Sequence, residues 1–360
     1  MLKPVLERLR GRWDRPQVRR RRPLFMAGAM LVLAACGSGL RQEIRVVGSS
    51  TVYPFTTAVA ERFAQNFPGY RSPIVESTGT GSGIKLFCNG VGSEHPDVAN
   101  ASRRMKTSEL ADCTKNGVRN VIEVPVGIDG LALIESATRP TGFNLTLRDI
   151  YAALAKTPFG RPQSARTWRD VNPQLPDVPI LVYGPPPTSG TRDSFVELVL
   201  TKGCESDPAM KALKAQDEDR HKDICNTMRE DGAFVEAGEN DNLLIQRVSG
   251  NAGAVGVLGY SFMEENADRV TGISIEGVQP SAETIQSLAY PVARPLYVYV
   301  KGEHLNVVPG LKEFLLEYAR GWTPNGYLQD RGLIPAPDAV RAGAAQAIQT
   351  ARPLTPQDLG

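Results

Sequence analysis

The sequence predicts an α/β protein whose two lobes hinge around a cleft. Three observations carry that reading. Short apolar strands alternate with helical patterns along the chain, the mark of a largely parallel sheet covered by helices. The 360 residues suit two lobes of ordinary domain size better than one small core. An alternating strand, PLYVYV at 295–300, lies far along the chain from the first units. If it returns to pair with GLALIES at 130–136, the chain crosses between the lobes twice.

The first 35 residues are set apart from the fold. Nine Lys/Arg precede the apolar run PLFMAGAMLVLAA at 23–35, which is too short to span a bilayer and fits a signal-peptide core. Its end, Leu33-Ala34-Ala35-Cys36, resembles the lipobox of bacterial lipoproteins, so residues 1–35 are expected to be cleaved and Cys36 to be the lipidated mature N-terminus. Arg21-Arg22 hints at the twin-arginine export route.

After a short tether comes EIRVVGSSTVYPFTTAVAERFAQNFPG. A strand, Ile44 to Val47, meets the loop Gly48-Ser49-Ser50-Thr51, and apolar spacing at Phe55, Val59 and Phe63 predicts a helix up to Pro68-Gly69. The unit recurs in kind. SPIVES is a strand, 78–83 (TGTGSG) a loop, and IKLFCNGV a helix start. PDVAN is a strand before the turn Ala101-Ser102-Arg103 and a helix near SELADCTKNG. VIEVPVG and GLALIES are read as a strand pair bracketing Asp129-Gly130.

A second lobe is expected from about Thr138. TLRDIYAALAKTPFG reads as helix and PILVYG as strand, followed by GPPPTSGTR and the helix DSFVELVL. Residues 202–232 are polar and lysine-rich, and a further helix and strand follow in FVEAGENDNLLIQRVSG and AVGVLGYSFM. Lobe one is then 44–137 plus 290–335 and lobe two 138–289, with 336–360 a packed or fraying tail.

Composition narrows the function. The net charge of +2 conceals a mildly acidic body: beyond the leader there are 32 basic and 37 acidic residues, about −5. That excludes a general nucleic-acid binder, and an anion must be held at one prepared site. Setting Cys36 aside leaves Cys88, Cys113, Cys204 and Cys225, an even number in an exported chain. Proximity favours Cys88–Cys113 and Cys204–Cys225, each loop closure contributing about 3 kcal/mol in the chain-entropy model. Scattered histidines and the lack of a C-x-x-C pair argue against zinc, and no cofactor is called for.

Four loops share one chemistry: a strand, then Ser/Thr/Gly, then a helix. Unsatisfied backbone N–H groups at a helix start carry partial positive charge, so a tetrahedral oxyanion can lie there. Small residues let it approach, hydroxyls add donors and arginine adds a fork. Each loop alone is equally well an ordinary helix cap; their co-occurrence is the signal. No G-x-S-x-G elbow or G-x-x-x-x-G-K-[ST] loop occurs. Ser82 and Lys85 match S-x-x-K, the pattern of an exported serine enzyme, but its S-D-N and K-T-G partners are missing.

In order, GSSTVYPF, STGTGSGIK, PDVANASRRMK, VGIDGLALI, SGTRDSF and GENDN…GNAGAVGVLGYSF resemble the periplasmic phosphate-binding proteins of bacterial phosphate ABC importers, over about Glu43 to Pro335. The resemblance implies a two-lobed type II periplasmic-binding-protein fold, with two crossing strands and the ligand in the interlobe cleft. It implies a monomer that captures inorganic phosphate in the periplasm and delivers it to an ABC permease, with no catalysis. Its ligand contacts fall on Ser50, Thr51 and Val52, on Ser82, and on Arg103. From the second lobe they fall on Ser189, Gly190 and Thr191, with Arg192 beside them and Asp129 near the cleft.

Two departures bear on selectivity. One branch of the family places at 103 an aspartate that accepts the proton of monohydrogen phosphate, and many relatives carry arginine where Pro185 stands here. The expectation is that positive charge has moved to Arg103 and that Asp129, or else Asp193, takes the acceptor role. A receptor for sulfate, molybdate or a phosphonate is the alternative of the same class. A surface scavenging or adhesion protein of the same fold is a further one.

Overall fold

The structure is a computed structural model that describes residues 41–359 apart from residue 239. The expected leader and the lipidated Cys36 lie outside the described residues.

The strands, in chain order, are β1 Arg45–Gly48, β2 Ile74–Ser77, β3 Val98–Ala101, β4 Val121–Ser136, β5 Asn144–Leu145, β6 Val182–Gly184, β7 Phe234–Glu236, β8 Val255–Gly259, β9 Val270–Gly272, β10 Ser274–Ile275 and β11 Ala293–Lys301. The main sheet runs β2-β1-β3-β11-β4-β8-β6-β7, with β9 also on β4, while β5 and β10 form a small side pair. β1 is parallel to β2 and β3, and β6 is parallel to β7 and β8. The two parallel groups are joined by the antiparallel pair β4 and β11.

The crossing strands differ from expectation in one respect. VIEVPVG and GLALIES are a single strand of 16 residues, and β11 pairs with its first part, Ala293 facing Gly130 and Lys301 facing Val121. GLALIES pairs instead with β8 through Leu131 to Ile134. The cause is burial on both faces. Asp129-Gly130 does not turn the chain, because Ile285 and Ile334 close over Gly130 and a Cβ there would meet both at 3.0 Å.

Helices cover both groups. Tyr53–Asn66 packs on Leu311–Gly321 through Phe63, Phe314 and Tyr318, all buried. On the other side Tyr151, Trp168 and Phe195 fill a second core. The helix expected over TLRDIYAALAKTPFG stops at Leu154, because Ala155 turns extended and bridges Met228. The polar stretch 202–232 contains helices Pro208–Gln216 and Glu218–Asn226. Both expected disulfides are present, Cys88–Cys113 and Cys204–Cys225. The tail is packed: helix Asp338–Thr350 lies on β4, and Leu354 donates its N–H to the Val121 carbonyl at 2.7 Å. Among the described residues no helix is long and apolar enough to cross a membrane.

At the far end of β11 Lys301 is fully buried, its ammonium donating to the Gly90 carbonyl beside the face of Phe87. Burial lowers its pKa to about 8, against the opposing pull of Asp97. The unfolded chain therefore binds more protons than the folded one between about pH 8 and the ordinary lysine value of 10.5, and stability rises with pH across that window. The gain is at most about 1.4 kcal/mol per pH unit. Denaturant melts of the wild type and Lys301→Met should differ in that slope, the variant's being flatter across this window.

Candidate functional site

The site begins with a glycine. β1 ends at Gly48, whose φ is +131° and where a Cβ would sit 2.2 Å from the Asn100 carbonyl oxygen. Only glycine makes that turn beside β3, and it delivers Ser49, Ser50 and Thr51 to the start of helix Tyr53–Asn66. In the other half β6 ends at Gly184 and three prolines lead to Ser189. Ser189 caps a helical run from Gly190 to Glu205, its Oγ accepting from the Thr191 N–H at 3.2 Å. The middle of that run, Val196–Thr201, is a π-helical turn.

The two helix starts touch. A Cβ on Gly190 would lie 2.9 Å from the Ser50 carbonyl oxygen and 3.1 Å from the Thr51 Cα. The Ser50 hydroxyl donates to Asp193, and Thr51 Oγ1 lies 3.1 Å from Ser194 Oγ. With Asp129 from the middle of β4, these loops line a cavity of about 490 Å³, onto which Asp241, Ser261 and Arg331 also open.

A buried cation in contact with these residues is Arg294, which sequence reasoning missed. It stands on β11 directly opposite Asp129 in the strand register and is 7% exposed. Its guanidinium donates to Thr51 Oγ1 at 2.9 Å, to Ser194 Oγ at 2.7 Å, to Asp129 Oδ2 at 3.3 Å and to Glu197. Ser194 in turn donates to Asp129 Oδ2 at 2.8 Å. A signal was available: Arg294 is a charged residue beside a strand otherwise patterned for burial, and such a residue needs a partner inside.

The expected residues divide into two sets. Ser50, Thr51, Asp129, Ser189, Gly190 and Thr191 converge on the cavity. Val52 is fully buried beneath it, its N–H directed at Ser49 Oγ at 3.4 Å. Ser82, Arg103 and Arg192 are off the cavity wall. The glycine loop that carries Ser82 is helical from Thr80, and Gly83 is needed for close packing, since a Cβ there would lie 2.4 Å from the Gly48 Cα. Ser82 itself is exposed. Arg103 forks onto Glu109 at 2.9 and 2.7 Å. That carboxylate raises its pKa, opposed by burial, with Glu197 adding a smaller pull. Arg192 bends back to the Pro185 carbonyl at 3.0 Å and stacks on Phe234, and burial lowers its pKa. Arg103 is thus off this cavity, and the buried cation bonded to the lining residues Thr51, Ser194 and Asp129 is Arg294.

The cavity thus presents hydroxyls and a helix start, with Asp129, Asp241 and Arg331 on its wall and the buried Arg294 guanidinium bonded to Thr51, Ser194 and Asp129. It can hold a small oxyanion without reacting with it. Known proteins resemble this chain in sequence and fold. A PBP superfamily domain profile matches residues 34–320. Protein SphX of Synechococcus elongatus is 31% identical over 345 residues, covering 91% of this chain and 90% of that protein. The phosphate-binding protein PstS of Staphylococcus saprophyticus is 30% identical over 305 residues, covering 80% of this chain and 81% of its own. A solved structure described as a possible phosphate binding protein from Planctomyces limnophilus aligns with a TM-score of 0.68 at 28% identity, covering 86% of this chain and 98% of that one. The chain belongs to the periplasmic-binding-protein (PBP) superfamily, in the group that contains SphX and PstS.

Proposed function

We propose that the protein is an extracytoplasmic receptor, not an enzyme, that captures inorganic phosphate in the cleft between two lobes and hands it to an ABC permease. The observation that carries this reading is the Arg294-backed cradle of Thr51, Ser189, Gly190 and Thr191 facing Asp129. The names of the relatives supply the anion: PstS is a phosphate-binding protein. Direct contacts are assigned to Ser50, Thr51, Ser189, Gly190, Thr191 and Asp129, while Val52, Ser82, Arg103 and Arg192 support or border the site. The lobes follow the crossing strands, 44–137 with 290–335 and 138–289. The basic, apolar leader ending at Cys36 supports a lipid anchor at the periplasmic face, and the receptor is read as a monomer.

Asp129 gives the site its selectivity. Both of its hydrogen bonds fall on Oδ2, so Oδ1 is the acceptor for a ligand hydroxyl. Near neutral pH phosphate carries a proton and sulfate does not, so a carboxylate bonds the first and repels the second. Titration calorimetry is expected to show micromolar or tighter phosphate binding and no competing sulfate binding. An absence of phosphate binding contradicts the receptor reading. Equal binding of sulfate contradicts the role of Asp129 and leaves an oxyanion receptor. Asp129→Asn is expected to narrow the phosphate-to-sulfate ratio by about tenfold or more, since it removes the repelled charge and makes the amide a donor.

A further inference from the structure

Counting protons around Arg294 gives the cradle a direction. One guanidinium nitrogen, Nη2, donates to both Thr51 Oγ1 and Ser194 Oγ, at 2.9 and 2.7 Å. A hydroxyl has a single proton of its own to give. Ser194 commits its proton to Asp129 Oδ2 at 2.8 Å. Thr51 already receives a hydrogen bond, so its proton must go elsewhere. Ser194 Oγ, at 3.1 Å, can accept it within the protein, the Gly190 carbonyl is 3.5 Å away, at the limit of a hydrogen bond, and the third direction is the cavity that Thr51 lines.

We propose that Arg294 is a positioning residue that sets this proton order: it occupies an acceptor side of both hydroxyls, so that Ser194 donates to Asp129 and the Thr51 proton can turn from Ser194 to an anion in the cavity, with Asp129 Oδ1 left to accept the ligand's own proton. The inference rests on the phosphate reading and names the residue that keeps its selectivity in place. Arg294 also spans the two halves, since Thr51 comes from the first β-loop-α unit and Ser194 and Glu197 from the helical run of the second. Glu197 and Asp129 hold the other arms of the guanidinium, which fixes the plane in which Nη2 points. A lysine keeps the charge but not the planar fork.

The test is a double-mutant cycle read by phosphate titration on the full chain: wild type, Arg294→Lys, Thr51→Val and the pair. Each single substitution is expected to weaken phosphate binding by about tenfold or more. If Arg294 works through the Thr51 hydroxyl, the double variant binds about as weakly as the weaker single one. Multiplying effects overturn the proposal, because independent losses of charge and of a hydroxyl would multiply. Should Arg294→Lys fail to fold, Glu197→Ala replaces it in the cycle. That change frees one arm of the guanidinium from an exposed position and is again expected to be non-additive with Thr51→Val, with multiplying effects overturning the assignment. A wild type that does not bind phosphate at all removes the receptor reading itself, a result separate from either outcome of the cycle.

Discussion

Gly190→Ala is expected to weaken phosphate binding by about a hundredfold or more and to lower the melting temperature of the unliganded protein only modestly. The position accepts alanine as far as its own backbone is concerned, because Gly190 does not need a positive φ. In the first turn of a helix the exchange is mildly stabilising. The obstacle is the opposite loop, where the new methyl would meet the Ser50 carbonyl at 2.9 Å and the Thr51 Cα at 3.1 Å. These are backbone atoms that cannot rotate away, so the loops part and the donors of one half no longer reach an anion held by the other. Each charge-assisted hydrogen bond lost in this way is worth about 1.5–3 kcal/mol. Calorimetry and a thermal melt on the same sample check the two halves of the statement. Unchanged affinity would mean that the ligand does not lie between these loops.

The second large effect is on stability. Gly48→Ala places a Cβ 2.2 Å from the Asn100 carbonyl oxygen at a φ of +131°. Backbone strain of about 1–3 kcal/mol and overpacking of about 1–3 kcal/mol act together. At about 2–4 °C per kcal/mol, the expected loss in melting temperature is about 5–20 °C. Gly79→Ala provides the control, since it also has a positive φ, +80°, but meets nothing within 4 Å. Its smaller loss isolates the strain, and equal losses would show that contact with β3 contributes nothing.

These two glycines show how far the sequence could be read. The strand-loop-helix rhythm around Gly48 was plain, because apolar spacing and turn residues are local signals. So was the pairing of four cysteines, since each pair lies 25 or 21 residues apart. The return of β11 was legible from its alternation, but its partner was not. Register depends on which residues bury together, and β4 runs on as one strand through Asp129-Gly130 with apolar residues on both sides. In the site, Ser50, Thr51, Asp129 and Ser189 to Thr191 were legible because hydroxyl and glycine loops advertise themselves next to helix starts. Arg103 looked like the compensating charge because it sits in such a loop, yet Glu109, six residues on, takes both of its guanidinium nitrogens. Arg294 was hidden for the converse reason. It belongs to a strand, where nothing local marks it, and its partners lie 97 to 243 residues away in sequence. Pro185 ceases to be an anomaly on this account, since a buried cation contacting the cradle comes from the crossing strand and the proline only stiffens the approach to Ser189.

The most direct test is a crystal structure of the protein grown with inorganic phosphate. The expected density places the phosphorus in the cavity between Thr51 and Gly190. The anion oxygens then lie within hydrogen-bonding distance of the Thr51 hydroxyl and the Ser189 to Thr191 segment, and Asp129 Oδ1 accepts the anion's single proton. Phosphate bound on Arg103 or at Ser82, with the Thr51 and Gly190 loops uninvolved, would contradict the account.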